Sequence, residues 1–133
     1  EIANVLGTKG VELMVKEGTA LPLNVYATMP SCVPATKDFE TNGATLSPSD
    51  IDEGLKGEAI IGLGELMNYP GVLQGDDQVH QIIQATLNHG KVITGHYPPL
   101  DAGGPELNAY IAAGARCCHE TTALTISAAR ESF

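Results

Sequence analysis

The chain has 133 residues, enough for a single domain that buries a sizeable core, and its 43% hydrophobic and 17% charged content is that of a folded rather than a disordered protein. A formal net charge of -9, from 16 acidic and 7 basic residues, excludes a nucleic-acid partner, because phosphate backbones are bound by neutralising Lys and Arg. No stretch approaches the roughly 20 apolar residues that span a bilayer, which excludes a membrane helix.

The chain opens on Glu1-Ile2-Ala3-Asn4, with no initiator Met, basic start or apolar signal core, so a segment of a longer polypeptide is expected. Three cysteines, Cys32 and the adjacent Cys117 and Cys118, make a disulfide framework a poor reading. Thiols in a reducing cytoplasm fit better.

In chain order, Val11 to Glu17 carries apolar residues at helical spacing, with Gly18 placed as a stop. Residues 21–29 form an apolar run with β-branched and aromatic members, closed by Pro30: a first strand. Ser47 before Pro48 reads as an N-cap with proline in the first turn, opening a short helix that ends near Gly57. Residues 59–65 are nearly continuous in apolar character, as suits a strand buried on both faces. The clearest helix runs from Asp76 to His89, with Val79, Ile82, Ile83, Ala85 and Leu87 as its apolar face and Gly90 as a stop. A third strand over 91–96, a helix over 106–113 ended by Gly114, and a fourth strand over 115–119 follow. Thr121 and Thr122 cap a last helix toward Arg130. Strand–helix alternation at this spacing implies an α/β fold of parallel strands joined by helical crossovers, in one domain over residues 1–133.

Glu65, His96 and His119 stand at the C-terminal ends of successive predicted strands. Parallel α/β architectures bind ligands at that end, where side chains distant in sequence converge. One carboxylate and two imidazoles are a donor set of the kind that holds Zn or Fe, still short of a full ligand shell. Taken singly, each has a blander role: a strand-end His as a hydrogen-bonded structural residue, a strand-end Glu as a helix cap. His80 and His89 fall on the helix surface, His89 as a favourable cation at a helix end. Glu120 either orients a ligand or touches the substrate, or is a helix N-terminal charge. Ser31 and Cys32 either line the pocket or form a tight turn between Pro30 and Pro34. Asn68 and Tyr69 lie after Glu65, where barrel loops carry specificity, although Tyr69-Pro-Gly71 is also an ordinary turn.

Longer blocks carry a resemblance. Glu1-Ile-Ala-Asn-Val-Leu-Gly7, Pro30-Ser-Cys-Val-Pro-Ala35, Gly62-Leu-Gly-Glu-Leu-Met-Asn-Tyr-Pro-Gly-Val72, Gly95-His96, Glu106-Leu-Asn-Ala-Tyr-Ile-Ala-Ala-Gly114 and Cys118-His-Glu120 resemble, in order and without large gaps, the motifs of microbial adenine deaminases of the amidohydrolase superfamily. The resemblance implies that the chain forms about half of a (β/α)8 TIM-type barrel. It implies two divalent metal ions (Mn, Fe or Zn), with Glu65 bridging them and His96 and His119 as ligands. Beside these ligands, the expected catalytic residues are Glu65 and Glu120, and the expected substrate contacts are Ser31, Cys32, Asn68 and Tyr69, on the functional rather than the bland reading of their positions. The activity implied is hydrolytic deamination of adenine in a longer cytoplasmic enzyme of purine salvage. Two parts of the family pattern are missing: a His-x-His pair, expected upstream of Glu1, and an Asp ligand, expected downstream of Phe133. Alternatives are another amidohydrolase acting on a cyclic amide or amine, and a non-catalytic α/β fragment. Half a barrel also leaves strand edges and apolar faces open, so self-association into a homo-oligomer is expected.

Overall fold

A computed structural model describes residues 2–98 and 104–120. Its elements are α1 (Ile2–Leu6), α2 (Thr8–Thr19), β1 (Ala27–Pro30), α3 (Pro48–Gly54), β2 (Ile60–Leu66), α4 (Tyr69–Gln74), α5 (Asp77–Asn88), β3 (Val92–Gly95), α6 (Pro105–Ala112) and β4 (Ala115–Cys118). The expected helix beginning at Thr121 lies outside the described residues.

The four strands form one sheet in the order β1-β2-β3-β4, and every neighbouring pair is parallel. Each strand thus lies beside its predecessor, with a helical crossover between them. Sequential order with no reversal is the winding of a (β/α)8 barrel; a doubly wound sheet reverses direction at a switch point. The register lines up Met29, Leu63, Ile93 and Ala115 across the sheet. All four are buried. Ile51 and Leu55 of the α3 region, Ile82 and Ile83 of α5, and Leu107 and Tyr110 of α6 complete the same core cluster.

Local signals explain most helix ends. Ser47 caps α3: its side chain accepts from the Asp50 N–H while the Asp50 carboxylate accepts from the Ser47 N–H at 2.8 Å, a reciprocal capping box with proline in the first turn. Asp76 caps α5, accepting from the N–H groups of Gln78 (2.9 Å) and Val79 (3.0 Å). Val79, Ile82, Ile83 and Thr86 are the buried side of α5, at i, i+3, i+4 and i+7. Leu87, read as part of that face, is instead exposed. Thr86 takes the buried place because its hydroxyl donates to the Ile82 carbonyl at 2.9 Å and so enters the core satisfied.

Several boundaries differ from the sequence expectation: α3 ends at Gly54 rather than near Gly57, and β3 and β4 stop at Gly95 and Cys118, one residue before His96 and His119. Helix α2 runs through Gly18 to Thr19, and Gly18 is buried because an added Cβ would lie 2.7 Å from the Val25 side chain. Strand β1 starts only at Ala27. Residues 21–26 are outside it, Pro22 has no N–H to offer a ladder, and Leu21 and Leu23 face solvent. Tyr69-Pro-Gly71, readable from sequence as a specificity loop or an ordinary turn, is the first turn of α4. Asn68 makes it one by accepting from the Gly71 N–H at 3.0 Å, with Pro70 supplying a helical φ.

Neighbouring strands approach closely at Gly95, where an added Cβ would sit 2.3 Å from the Cys117 carbonyl oxygen and 3.3 Å from the Tyr110 hydroxyl. Backbone cannot yield as a flexible side-chain tip would. Gly95→Ala is therefore expected to destabilise the folded protein by about 1–3 kcal/mol, read as a lower denaturation midpoint at unchanged m-value. An unchanged midpoint would contradict the strand spacing described here.

Candidate metal centre

A β-bulge positions the central carboxylate. Leu63 pairs with Ile93 and Leu66 with Gly95, so Gly64 and Glu65 on β2 stand opposite Thr94 alone on β3. An extra residue of this kind re-aims a side chain and interrupts the ladder. Glu65 takes the consequence in its backbone, with φ of 37°, a left-handed conformation that favours glycine. Its peptide groups are satisfied sideways. The Glu65 N–H donates to Thr94 Oγ1 at 2.7 Å, and that hydroxyl donates onward to the Leu63 carbonyl at 3.1 Å. The Glu65 carbonyl accepts from the Ser31 hydroxyl and from the Met67 N–H.

His96 follows the end of β3 directly, and its N–H donates to the Tyr110 hydroxyl at 2.9 Å. Tyr110 in turn donates to the Leu66 carbonyl at 2.8 Å, so one buried hydroxyl ties the tips of β2 and β3 together. Burial pushes the Tyr110 hydroxyl well above the usual tyrosine range, although the bond from His96 opposes the shift. It therefore stays protonated, as its donor role requires. His119 follows β4 in the same way, and Glu120 comes next.

These side chains meet. His96 Nδ1 and His119 Nε2 are 3.4 Å apart. Glu65 Oε1 is 3.5 Å from His119 Nε2, and Glu65 Oε2 is 4.0 Å from His96 Nδ1. Glu120 Oε1 joins them, 3.1 Å from His119 Nε2 and 3.4 Å from His96 Nδ1. One donor atom from each of Glu65, His96 and His119 falls within a common 4.8 Å span. Bonds of about 2.0–2.1 Å to a tetrahedral ion set its ligand atoms roughly 3.4 Å apart, close to the spacing found here. The His96 side chain is 25% exposed and those of His119 and Glu65 about half, so the cluster opens to solvent and an ion can enter. The donors present thus fit a divalent cation.

The other predicted residues have defined partners. Ser31 is buried, and its hydroxyl holds the Glu65 carbonyl. Beside it, Cys32 is half-buried, and its thiol is pushed above the ordinary range, first by burial and then by the nearby Glu40 and Glu65 charges, against a lowering contact from Ser31. Both line a cleft of about 670 Å³ that reaches Glu65 and Met67 and is walled on the far side by α1 and α2. A smaller hollow of about 270 Å³, bordered by Met29, Asp50, Glu53 and Ile60, touches none of the clustered residues. Asn68 is spent as the α4 cap, and Tyr69 packs edge-on against Tyr97 with ring centroids 5.2 Å apart. His80 contacts the Val72 carbonyl at 3.1 Å, and His89 pairs with Asp52 at 3.0 Å, joining α5 to α3. Both lie away from the cluster. Thr94 and Tyr110 escaped the sequence reading. The only trace of Thr94 was a hydroxyl two residues before His96, and that of Tyr110 was a phenol in an apolar helix.

Residues 1–131 match the amidohydrolase family. The chain belongs to that family. The chain is 55% identical over 123 residues to the adenine deaminase of Moorella thermoacetica and 49% identical over 122 residues to that of Clostridium botulinum, each alignment covering 92% of this chain and 20% of the relative. It is 45% identical over 130 residues to adenine deaminase 1 of Jannaschia sp., covering 98% of this chain and 22% of the relative. This amidohydrolase chain thus spans about a fifth of the length of the curated relatives it matches. Four sequential parallel strands with helical crossovers between them are a partial piece of the family's TIM barrel, as the sequence led us to expect.

The left-handed backbone at Glu65 makes a stability prediction independent of any ligand. In metal-free protein, Glu65→Gly is expected to unfold within about 1 kcal/mol of the parent, whereas β-branched Glu65→Val should lose about 1–3 kcal/mol. Chemical denaturation checks the ranking, and a Val variant as stable as the Gly variant would contradict the strained conformation.

Proposed function

We propose that this chain, over residues 1–133, is part of the catalytic barrel of an enzyme that hydrolyses adenine to hypoxanthine and ammonia. The single observation that carries the reading is the convergence of Glu65, His96 and His119 at the C-terminal tips of three adjacent parallel strands. Support for the substrate comes from the relatives, which at 45–55% identity bear the name adenine deaminase.

On this reading Glu65, His96 and His119 would hold the divalent ions, Glu65 as the acidic ligand and the two histidines through their imidazoles. Ions of this class supply Lewis acidity and lower the pKa of water toward neutrality, which suits hydrolytic attack on an electrophilic ring carbon. The chain's own residues do the holding. Glu65 places negative charge between the two imidazoles, which keeps their nitrogens directed inward. Glu120, in contact with both imidazoles, orients them and is a candidate to hold or pass a proton near the substrate. Ser31 and Cys32 wall the adjoining cleft, where a planar purine has room, and Asn68 and Tyr69 shape the segment after Glu65. Cys32 acts there as a neutral thiol rather than as a thiolate.

The wider setting follows from the same reading. Cys32, Cys117 and Cys118 are thiols, which suits a reducing compartment such as the cytoplasm, and adenine deamination belongs to purine salvage. Among the described residues, no helix is long and apolar enough to cross a membrane. Exposed apolar side chains such as Leu23, Tyr26 and Phe39 are surface that further polypeptide or a second copy would cover, consistent with self-association.

The test is an assay of the full-length protein with adenine in the presence of Mn²⁺ or Fe²⁺. Release of hypoxanthine and ammonia in equal amounts is expected, and Glu65→Gln is expected to lose metal and, with it, turnover. Absence of hypoxanthine from metal-loaded protein, alongside turnover of another cyclic amine or amide in a substrate panel, would move the assignment elsewhere in the amidohydrolase family.

A further inference from the structure

We infer that Ser31 and Thr94 are positioning residues that clamp the two peptide groups of Glu65 and so hold its carboxylate in the metal-binding posture. The inference rests on the metal-site reading given above.

Glu65 sits at the bulge with an unfavourable φ of 37°. Such a conformation costs about 1–3 kcal/mol and persists only where the surroundings over-determine it. Two hydroxyls do so from opposite sides. Thr94, the one residue facing the bulge on β3, accepts the Glu65 N–H at 2.7 Å and returns its own proton to the Leu63 carbonyl at 3.1 Å. One side chain thereby replaces the ladder bonds that the bulge removes, and both of its capacities are used. On the other flank the chain just past β1 brings in Ser31, whose backbone N–H donates to the Gly64 carbonyl at 3.2 Å and whose hydroxyl holds the Glu65 carbonyl. Ser31 is buried, so water competes poorly for that bond.

Relaxation of φ toward the extended range would turn both peptide planes and swing the Cα–Cβ bond away from His96 and His119. Successive side chains on a strand point to opposite faces, so even a local slip redirects the carboxylate. The clamp therefore acts on metal affinity through backbone geometry, with neither hydroxyl touching an ion. It also gives Ser31 a role distinct from substrate contact.

The test compares Thr94→Val, Thr94→Ser, Ser31→Ala and Glu65→Gln in the full-length protein. Mn²⁺ or Zn²⁺ affinity and stoichiometry are measured by competition with a chromogenic chelator, and the stability of the metal-free protein is measured alongside. Thr94→Val is expected to weaken metal binding about 10–100-fold, the usual effect of losing a group that orients a ligand. Ser31→Ala should weaken it in the same direction, and Thr94→Ser, which keeps the hydroxyl, should bind close to the parent. A purely structural role would lower stability while leaving affinity per folded molecule unchanged. If Glu65→Gln loses metal while Thr94→Val and Ser31→Ala bind as the parent does, the clamp is refuted and the metal site stands. If Glu65→Gln binds metal as the parent does, the metal-site reading fails and the inference fails with it. Should Thr94→Val not fold, Ser31→Ala decides: weakened binding upholds the clamp, and parental binding overturns it.

Discussion

The site depends on one irregularity in the sheet: two residues of β2 facing a single residue of β3. Without it, Glu65 would continue the regular alternation of the strand. With it, the carboxylate comes within 4.0 Å of both imidazoles, at the cost of a left-handed backbone. A regular parallel sheet provides the frame, and the irregular step converts it into a cluster of donors. Bulges beside functional sites are common for this reason: they aim a side chain that the pleat would otherwise place elsewhere.

The rest of the structure keeps that step in place. The row of Met29, Leu63, Ile93 and Ala115 fixes strand register just before the tips, where a one-residue slip would reverse every face. Tyr110 then bonds the tips of β2 and β3 from the helical layer, and α6 packs close to the sheet where Gly95 has no side chain. Hydrogen bonds and close packing thus lie beneath the cluster, while Glu65, His96 and His119 themselves are open to solvent. This division suits a centre that must hold its donors still and yet admit ions and substrate.

Much of this was legible in the sequence, and the gaps have physical reasons. Helix α5 announced itself through its period and the Gly90 stop, and α3 through Ser47-Pro48, because those signals are local. Glu65, His96 and His119 could be singled out because each polar residue ends an apolar run. Helix α4 was hidden because Pro70 and Gly71 are read as turn formers, and only the Asn68 cap and the packing of Tyr69 on Tyr97 turn them into a helix. The late start of β1 was missed because residues 21–26 look apolar enough for a strand, yet nothing pairs with them in the described sheet. Leu87 was expected on the buried face and Thr86 takes that place instead, because hydrophobicity alone ignores a hydroxyl satisfied within its own helix. The bulge is a property of two strands together, so neither strand's sequence reveals it, and the parts played by Thr94 and Ser31 stayed out of sight with it.

The most direct test of this account is a crystal structure of the full-length protein grown with Mn²⁺, with anomalous scattering recorded at the C-terminal tips of the strands. An anomalous peak within bonding distance of Glu65, His96 and His119, with Glu65 still at positive φ, is the predicted result. A metal-loaded protein whose anomalous peaks lie elsewhere, with those three side chains turned apart, would contradict it.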